Sequence, residues 1–205
     1  LLNKYARTFF TTLLTPPAKL LLKWGVTPDA VTITGTLGVT FGALVFYPLG
    51  ELFWGTLFIT LFVFSDLLDG IMARIRGKSG RWGSFLDSTL DRVADGAVFA
   101  GVALWFFTGG NSTAVAVAAL LCLVLGMLVS YARAKAESLG FTADIGIAER
   151  AERLVAVLVA TGLTGLGLPV GFLLTVLVLL ALASLVTVFQ RVATVRRQAL
   201  APNSA

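Results

Sequence analysis

From Ala30 to Gly50 the sequence carries no charged residue, and five more apolar stretches follow at 52–65, 96–107, 113–132, 154–167 and 169–190. Runs of this length and frequency require hydrocarbon as part of the solvent, and only helices or closed barrels satisfy their backbones there. The runs read as helices. Three of them, 52–65, 96–107 and 154–167, are too short to cross a bilayer, since a span needs about 20 residues, and the third should draw Glu152 and Arg153 into the same layer as the first two draw their carboxylates. The 52–65 helix must therefore continue through Asp66 and Asp69 to about Ala73, and the 96–107 helix must be completed by Ser84 to Asp95. At 1.5 Å per residue, Asp66 then lies about 21 Å and Asp91 about 24 Å from the outer ends of their helices. Two helices thus bring carboxylates to matching depth, just inside one interface of a core about 30 Å thick.

Charge fixes the orientation. The sixteen Lys and Arg fall in four zones, Lys4 to Lys23, Arg74 to Arg92, Arg133 to Arg153 and Arg191 to Arg197. The connections near Gly50, Thr108 to Ser112 and Thr164 to Pro169 carry none. This alternation follows the positive-inside rule, puts both termini in the cytoplasm and requires an even number of spans. It also assigns the net charge of +5 to membrane orientation rather than to nucleic acid. The expected fold is an all-α membrane protein with six transmembrane helices, preceded by an amphipathic juxtamembrane helix. It forms a single membrane domain, 1–205, with an interfacial segment at 1–24 and a disordered tail at 198–205. The sequence starts at Leu1 without Met, which points to trimming, and Leu1 to Leu14 is too polar-punctuated for a cleavable signal peptide.

The same segment, with Leu2, Tyr5, Phe9 and Leu13 on one face, reads as a helix in the interface plane. Pro16-Pro17 is expected to break it, leaving a second short segment anchored by Lys19 and Lys23. Thr27 or Asp29 can cap the first span, with Pro28 in its first turn. Gly38 and Gly42 fit either a dimer face or close packing within the bundle. The lone Cys122 excludes an intrachain disulfide, and the lack of His removes imidazole chemistry. Gly77-Lys78-Ser79 lacks the glycine that a phosphate-binding loop needs five residues earlier, where Met72 stands.

Ionisable groups at membrane depth mark functional sites. Asp66 and Asp69 share a helix face, and Asp87 and Asp91 repeat at i+4 on the next helix. Four facing carboxylates make an all-oxygen site for one or two hard divalent ions, Mg²⁺ foremost. Gly70 leaves room for close approach, and Arg74 stands where it can hold a phosphate. The residues alone leave two other readings open: pairing of the carboxylates with Arg74, Arg76 and Arg92, or a cation-transport path. Asp95 continues the i+4 series, either behind the site or as a helix-end charge.

The spacing D-x2-D-G-x2-A-R-x8-G-x3-D-x3-D resembles the signature of the CDP-alcohol phosphotransferases at each fixed position: Asp66, Asp69, Gly70, Ala73, Arg74, Gly83, Asp87 and Asp91. The resemblance implies transfer of a phosphatidyl-type group from a CDP-lipid to an alcohol, with loss of CMP. It implies Asp66, Asp69, Asp87 and Asp91 as metal ligands, Mg²⁺ or Mn²⁺, and Asp91 as proton acceptor. Coordination lowers a carboxylate's basicity, so Asp91 must bind weakly or switch between those roles. It further implies a CDP-lipid site at Asp29, Ala30, Val31, Thr32, Gly70, Ala73, Arg74 and Gly80, a homodimer, and an active site on the cytoplasmic face of a bacterial plasma membrane.

The segments Ser130 to Glu137 and Glu149 to Arg153 resemble the actinobacterial members that make phosphatidylinositol phosphate from CDP-diacylglycerol and inositol 3-phosphate. Arg133, Lys135, Arg153 and Arg191 are then expected to grip the acceptor's phosphate. The rival acceptor is glycerol 3-phosphate, giving phosphatidylglycerol phosphate. The rival class is a non-catalytic ion carrier.

Overall fold

The structure is a computed structural model. It describes residues 2–77 and 80–201; the side chains of residues 2–12 and of Asp66 lie outside that description. Among the described residues every regular element is helical: α1 (Leu2–Lys23), α2 (Pro28–Phe41), α3 (Leu52–Val63), α4 (Ser65–Ile75), α5 (Arg81–Phe107), α6 (Thr113–Ser138), α7 (Arg150–Gly165) and α8 (Val170–Leu200). A π-helical turn, Gly42–Phe46, extends α2, and α3 and α4 meet at Phe64 as one rod.

Among the described residues four rods are long and apolar enough to cross a membrane: Pro28–Phe46, Leu52–Ile75, Thr113–Ser138 and Val170–Leu200. The rod 52–75 does run on through Asp66 and Asp69 to the residues beyond Ala73, as its short apolar run required. Helix α5 has 27 residues, yet its apolar end reaches only 12 residues before Asp95, Arg92 and Asp91 intervene. Helix α7 has 16 residues.

Two local expectations change. Helix α1 is continuous through Pro16 and Pro17. Interior prolines cost about 3 kcal/mol each, so packing must supply what propensity withholds. Ala18 is fully buried with Ile71 and Met72 of α4, and Leu14, Leu21 and Leu22 close around them. At the other end α8 continues to Leu200, into the stretch expected as a tail. Gln198 explains this: its Oε1 accepts from the Thr142 backbone at 2.9 Å and its Nε2 donates to Thr142 O at 2.6 Å. Residues 202–205 lie outside the described residues, as do Lys78 and Ser79 and the side chains that would set the apolar face of residues 2–12.

The core is built mostly of small and β-branched residues. Val39, Ala43, Ile59, Val98, Val102, Val115, Ala119, Cys122 and Val157 are buried together. In hydrocarbon, helices gain little by hiding apolar surface from lipid, so close backbone approach and dense packing supply the association energy. Glycine permits it where α5 crosses the π turn: a Cβ on Gly101 would lie 2.1 Å from Ala43 O. Gly38 and Gly42 serve the bundle, their free faces filled by Phe62 and by Phe58 with Ile59. Outward faces carry Leu37, Leu57, Leu61, Leu121, Val155, Leu179 and Phe189, all exposed, an apolar belt suited to lipid contact.

Candidate active site

Two clefts open on either side of α5. The first, about 590 Å³, is lined by Thr27, Pro28, Asp29 and Thr32 from the start of α2, by Asp69, Gly70, Ala73 and Arg76 of α4, and by Gly80, Trp82, Gly83, Ser84 and Asp87 around the start of α5. The local sequence sets each wall. Thr27 caps α2, its Oγ1 accepting from Ala30 N at 3.1 Å, with Pro28 in the first turn. That cap exposes Asp29 and Thr32 one turn apart on the cleft side. The Thr32 hydroxyl lies 2.5 Å from Asp69 Oδ2 and 3.1 Å from Pro28 O; its single proton serves the shorter, charge-assisted contact. Asp69 is buried and thereby oriented, while Asp87 is exposed to the cleft. Trp82 Nε1 donates to Asp29 Oδ2 at 3.0 Å, joining α5 to α2 across the opening.

The cleft has space where the sequence placed glycines. A Cβ at Gly80 or Gly83 would meet nothing within 4 Å, and one at Gly70 would touch only Arg74 Nη2, at 4.0 Å. Hard oxygen donors on two facing helices, beside walls without side chains, fit a divalent cation bearing a diphosphate. Among the described residues no three carboxylates stand together as a ready metal site. Asp66 belongs to α4, but its side chain lies outside the described residues, and Asp91 sits one turn beyond Asp87.

Of the expected CDP-lipid residues, Asp29, Thr32, Gly70, Ala73 and Gly80 line this cleft. Ala30 is exposed outside it, and Val31 packs against the Ala18, Ile71 and Met72 cluster. Arg74 folds back along its own helix, Nε donating to Gly70 O at 3.0 Å, and Arg76 supplies the cation in the lining.

The second cleft, about 1150 Å³, is cationic. Arg92 of α5, Arg133 of α6, Arg150 and Arg153 of α7 and Arg191 of α8 line it, with Ser130, Tyr131, Glu137 and Glu149. Arg153 and Arg191 are only 2% and 4% exposed. Each is held by main-chain carbonyls: Arg153 Nη1 donates to Ala148 O at 2.8 Å, and Arg191 donates from Nε to Ile145 O at 2.9 Å and from Nη1 to Val129 O at 2.5 Å. A guanidinium has five donors, so both keep hydrogens for a ligand. Arg133 pairs with the exposed Glu137 and Asp144, each at 2.9 Å. Such surface pairs are worth about 1 kcal/mol or less and yield readily to a better anion. Lys135, about 200° around α6 from Arg133, is exposed and outside the lining.

Asp91 and Asp95 face Arg150. Its Nη2 lies 2.8 Å from Asp91 Oδ1, and its Nε donates to Asp95 Oδ1 at 3.2 Å. Arg92 Nη2 stands 3.5 Å from Asp91 Oδ2. Sequence reasoning thus missed Arg76, Trp82 and Ser84 in the first cleft and Arg92 and Arg150 in the second. Arg150 had a signal, the Glu-Arg-Ala-Glu-Arg run at 149–153; Trp82 had none.

The fold is that of a helical membrane protein with two polar clefts, one bearing carboxylates and one lined by arginines. The sequence model of the CDP-alcohol phosphatidyltransferases matches residues 25–195, and the chain belongs to that family. It is therefore an enzyme of the CDP-alcohol phosphatidyltransferase class. Phosphatidylinositol phosphate synthase of Streptomyces avermitilis is 56% identical over 211 residues, spanning 100% of this chain and 86% of the relative. The synthase of that name from Mycolicibacterium smegmatis is 46% identical over 192 residues, spanning 93% and 86%. The crystal structure of phosphatidylinositol phosphate synthase from Mycobacterium tuberculosis with CDP-DAG bound superposes with a TM-score of 0.88 at 40% identity, covering 95% of this chain and 100% of that one. The same enzyme in complex with manganese and citrate gives 0.85 at 43% identity, covering 89% and 88%.

Proposed function

We propose that the chain transfers the phosphatidyl group of CDP-diacylglycerol to a hydroxyl of inositol 3-phosphate, releasing CMP and forming phosphatidylinositol phosphate. The observation that carries this reading is the second cleft: two buried arginines, Arg153 and Arg191, point an anion-binding surface at the back of the helix that bears Asp87 and Asp91. An acceptor that carries its own phosphate meets the donors these arginines keep beyond their carbonyl bonds, and an uncharged alcohol does not. The relatives' names support the same acceptor.

The nucleotide half holds the donor. Asp29, Thr32, Ala73 and Gly80 would bound the space for the cytidine, and Arg76, the cation of the same lining, would meet the diphosphate. Asp69 and Asp87, with Asp66 and Asp91, would hold Mg²⁺ or Mn²⁺. A bound divalent ion would supply charge neutralisation at the diphosphate and at the departing CMP. Thr32 fixes the Asp69 carboxylate for that purpose. Asp91 would take the proton of the attacking hydroxyl, and Arg133, Arg153 and Arg191 would orient the acceptor by its phosphate, Lys135 lying outside the cleft they line.

Helices α5 and α7 would complete six spans in one domain, with both termini and both clefts on the cytoplasmic side of a bacterial plasma membrane. A homodimer is the expected assembly. The deciding experiment is an acceptor panel on purified protein with CDP-diacylglycerol and Mg²⁺, reading CMP release. Turnover with inositol 3-phosphate and not with free inositol or glycerol 3-phosphate is expected. Turnover of glycerol 3-phosphate alone would transfer the assignment to phosphatidylglycerol phosphate synthesis, and no CMP release with any acceptor would overturn the proposed reaction.

A further inference from the structure

Arg150 is the first residue of α7, and a capping box fixes its backbone, with Glu149 and Glu152 each bonded to the other's main chain. From that fixed point its side chain reaches to α5 and spans Asp91 and Asp95, one helical turn apart. The three groups are secluded, their side chains 26%, 16% and 16% exposed. Arg92 approaches the other Asp91 oxygen, and the Arg92 Nε is buried without a hydrogen-bond partner. Both oxygens of Asp91 therefore face guanidinium groups. Arg150 also lines the cationic cleft, with Arg133, Arg153 and Arg191. One guanidinium thus stands between the carboxylate expected to serve metal and proton transfer and the cleft expected to take a phosphate.

We propose that Arg150 is a positioning residue that couples acceptor binding to the availability of Asp91. A carboxylate oxygen 2.8 Å from a guanidinium nitrogen cannot also give its lone pairs fully to a divalent cation. A phosphate in the cleft competes for the same guanidinium with twice the charge. As Nη2 turns toward that phosphate, Asp91 Oδ1 is released, while the bond from Nε to Asp95 keeps the side chain on its pivot. This gives Asp95 a task, and it separates in time the two roles that Asp91 cannot fill at once. Acceptor phosphate and divalent cation then bind with positive linkage, and by reciprocity each tightens the other equally.

The proposal rests on the reading of the clefts given above, and the test separates the two. Mn²⁺ is titrated into the purified full chain in detergent, and free Mn²⁺ is followed by electron paramagnetic resonance with and without inositol 3-phosphate. In the wild type, Mn²⁺ affinity is expected to rise about tenfold with inositol 3-phosphate, within the ordinary range of coupling, and to stay unchanged with free inositol. Arg150→Gln is expected to bind Mn²⁺ without acceptor as tightly as the wild type does with it, and to lose the dependence. Arg150→Lys, whose single ammonium cannot span both carboxylates, is expected to show a reduced linkage. Equal wild-type affinity with and without inositol 3-phosphate overturns the proposal, and so does full linkage persisting in R150Q or, should R150Q not fold, in R150K. Absence of any Mn²⁺ binding overturns the metal reading and the proposal together.

Discussion

Arg191 is a buried cation whose partners are two carbonyls, Val129 O and Ile145 O, rather than a carboxylate. Truncating it to Ala leaves both carbonyls unsatisfied, at about 1–3 kcal/mol each, so thermal unfolding in detergent is expected to fall by several degrees. Arg191→Lys keeps one of these bonds and the charge but not the forked geometry. It is expected to raise KM for the phosphorylated acceptor about tenfold while leaving KM for CDP-diacylglycerol unchanged, measured by steady-state CMP release. Thr32→Val removes one charge-assisted bond from Asp69. At about 1.5 kcal/mol, that is a roughly tenfold fall in kcat/KM at limiting Mg²⁺; an undiminished rate would show that Asp69 needs no such support. Chelation of divalent ions is expected to abolish CMP release, and Mg²⁺ or Mn²⁺ to restore it. At this scale the sequence was a good guide wherever spacing along one helix decides position. Asp69, Gly70, Ala73, Gly83 and Asp87 share one cleft because helical geometry leaves them little choice. Arg74, Arg76 and Trp82 were illegible for the opposite reason: a carbonyl four residues back captures Arg74, and the turn between α4 and α5 brings in the other two.

Among elements, α5 is the most constrained. Its outer half crosses the π turn after α2 with Gly101 against the Ala43 carbonyl. Gly101→Val must push two backbones apart, and overpacking of this kind costs about 1–3 kcal/mol. A lowered melting temperature is expected, with substrate KM values unchanged at temperatures where the protein remains folded. Gly38→Ala, whose methyl would meet the movable Phe62 ring, is expected to cost less in the same assay. The π turn itself has no sequence signal that composition reveals, and it is the crossing with α5 that accounts for it. Helix α1 teaches a related lesson. A Pro-Pro pair predicts a break, but the contact of Ala18 with Ile71 and Met72 holds the helix together. The loop 139–149 is suspended from α8 by Thr187, Arg191 and Gln198. These partners lie more than 35 residues away in sequence, which periodicity cannot foresee.

For the whole molecule, the arrangement of basic zones makes a topological statement that the helix ends allow to be tested. In a Cys122→Ala background, Asn111→Cys stands in the short turn between α5 and α6, and Ser138→Cys at the far end of α6. A membrane-impermeant maleimide added to intact cells is expected to label position 111 and to reach position 138 only after permeabilisation. Labelling of both from outside would refute the six-span arrangement. Among the described residues the two clefts divide the molecule unequally: α2 and α4 bound one, α6, α7 and α8 bound the other, and α5 contributes to both. That division has an evolutionary consequence. If the clefts take the substrates proposed above, a lineage could exchange one acceptor alcohol for another by substitutions confined to the last three helices, while the half proposed for the activated lipid would stay under unchanged selection. Helix α5, answerable to both halves, is then where drift should be slowest.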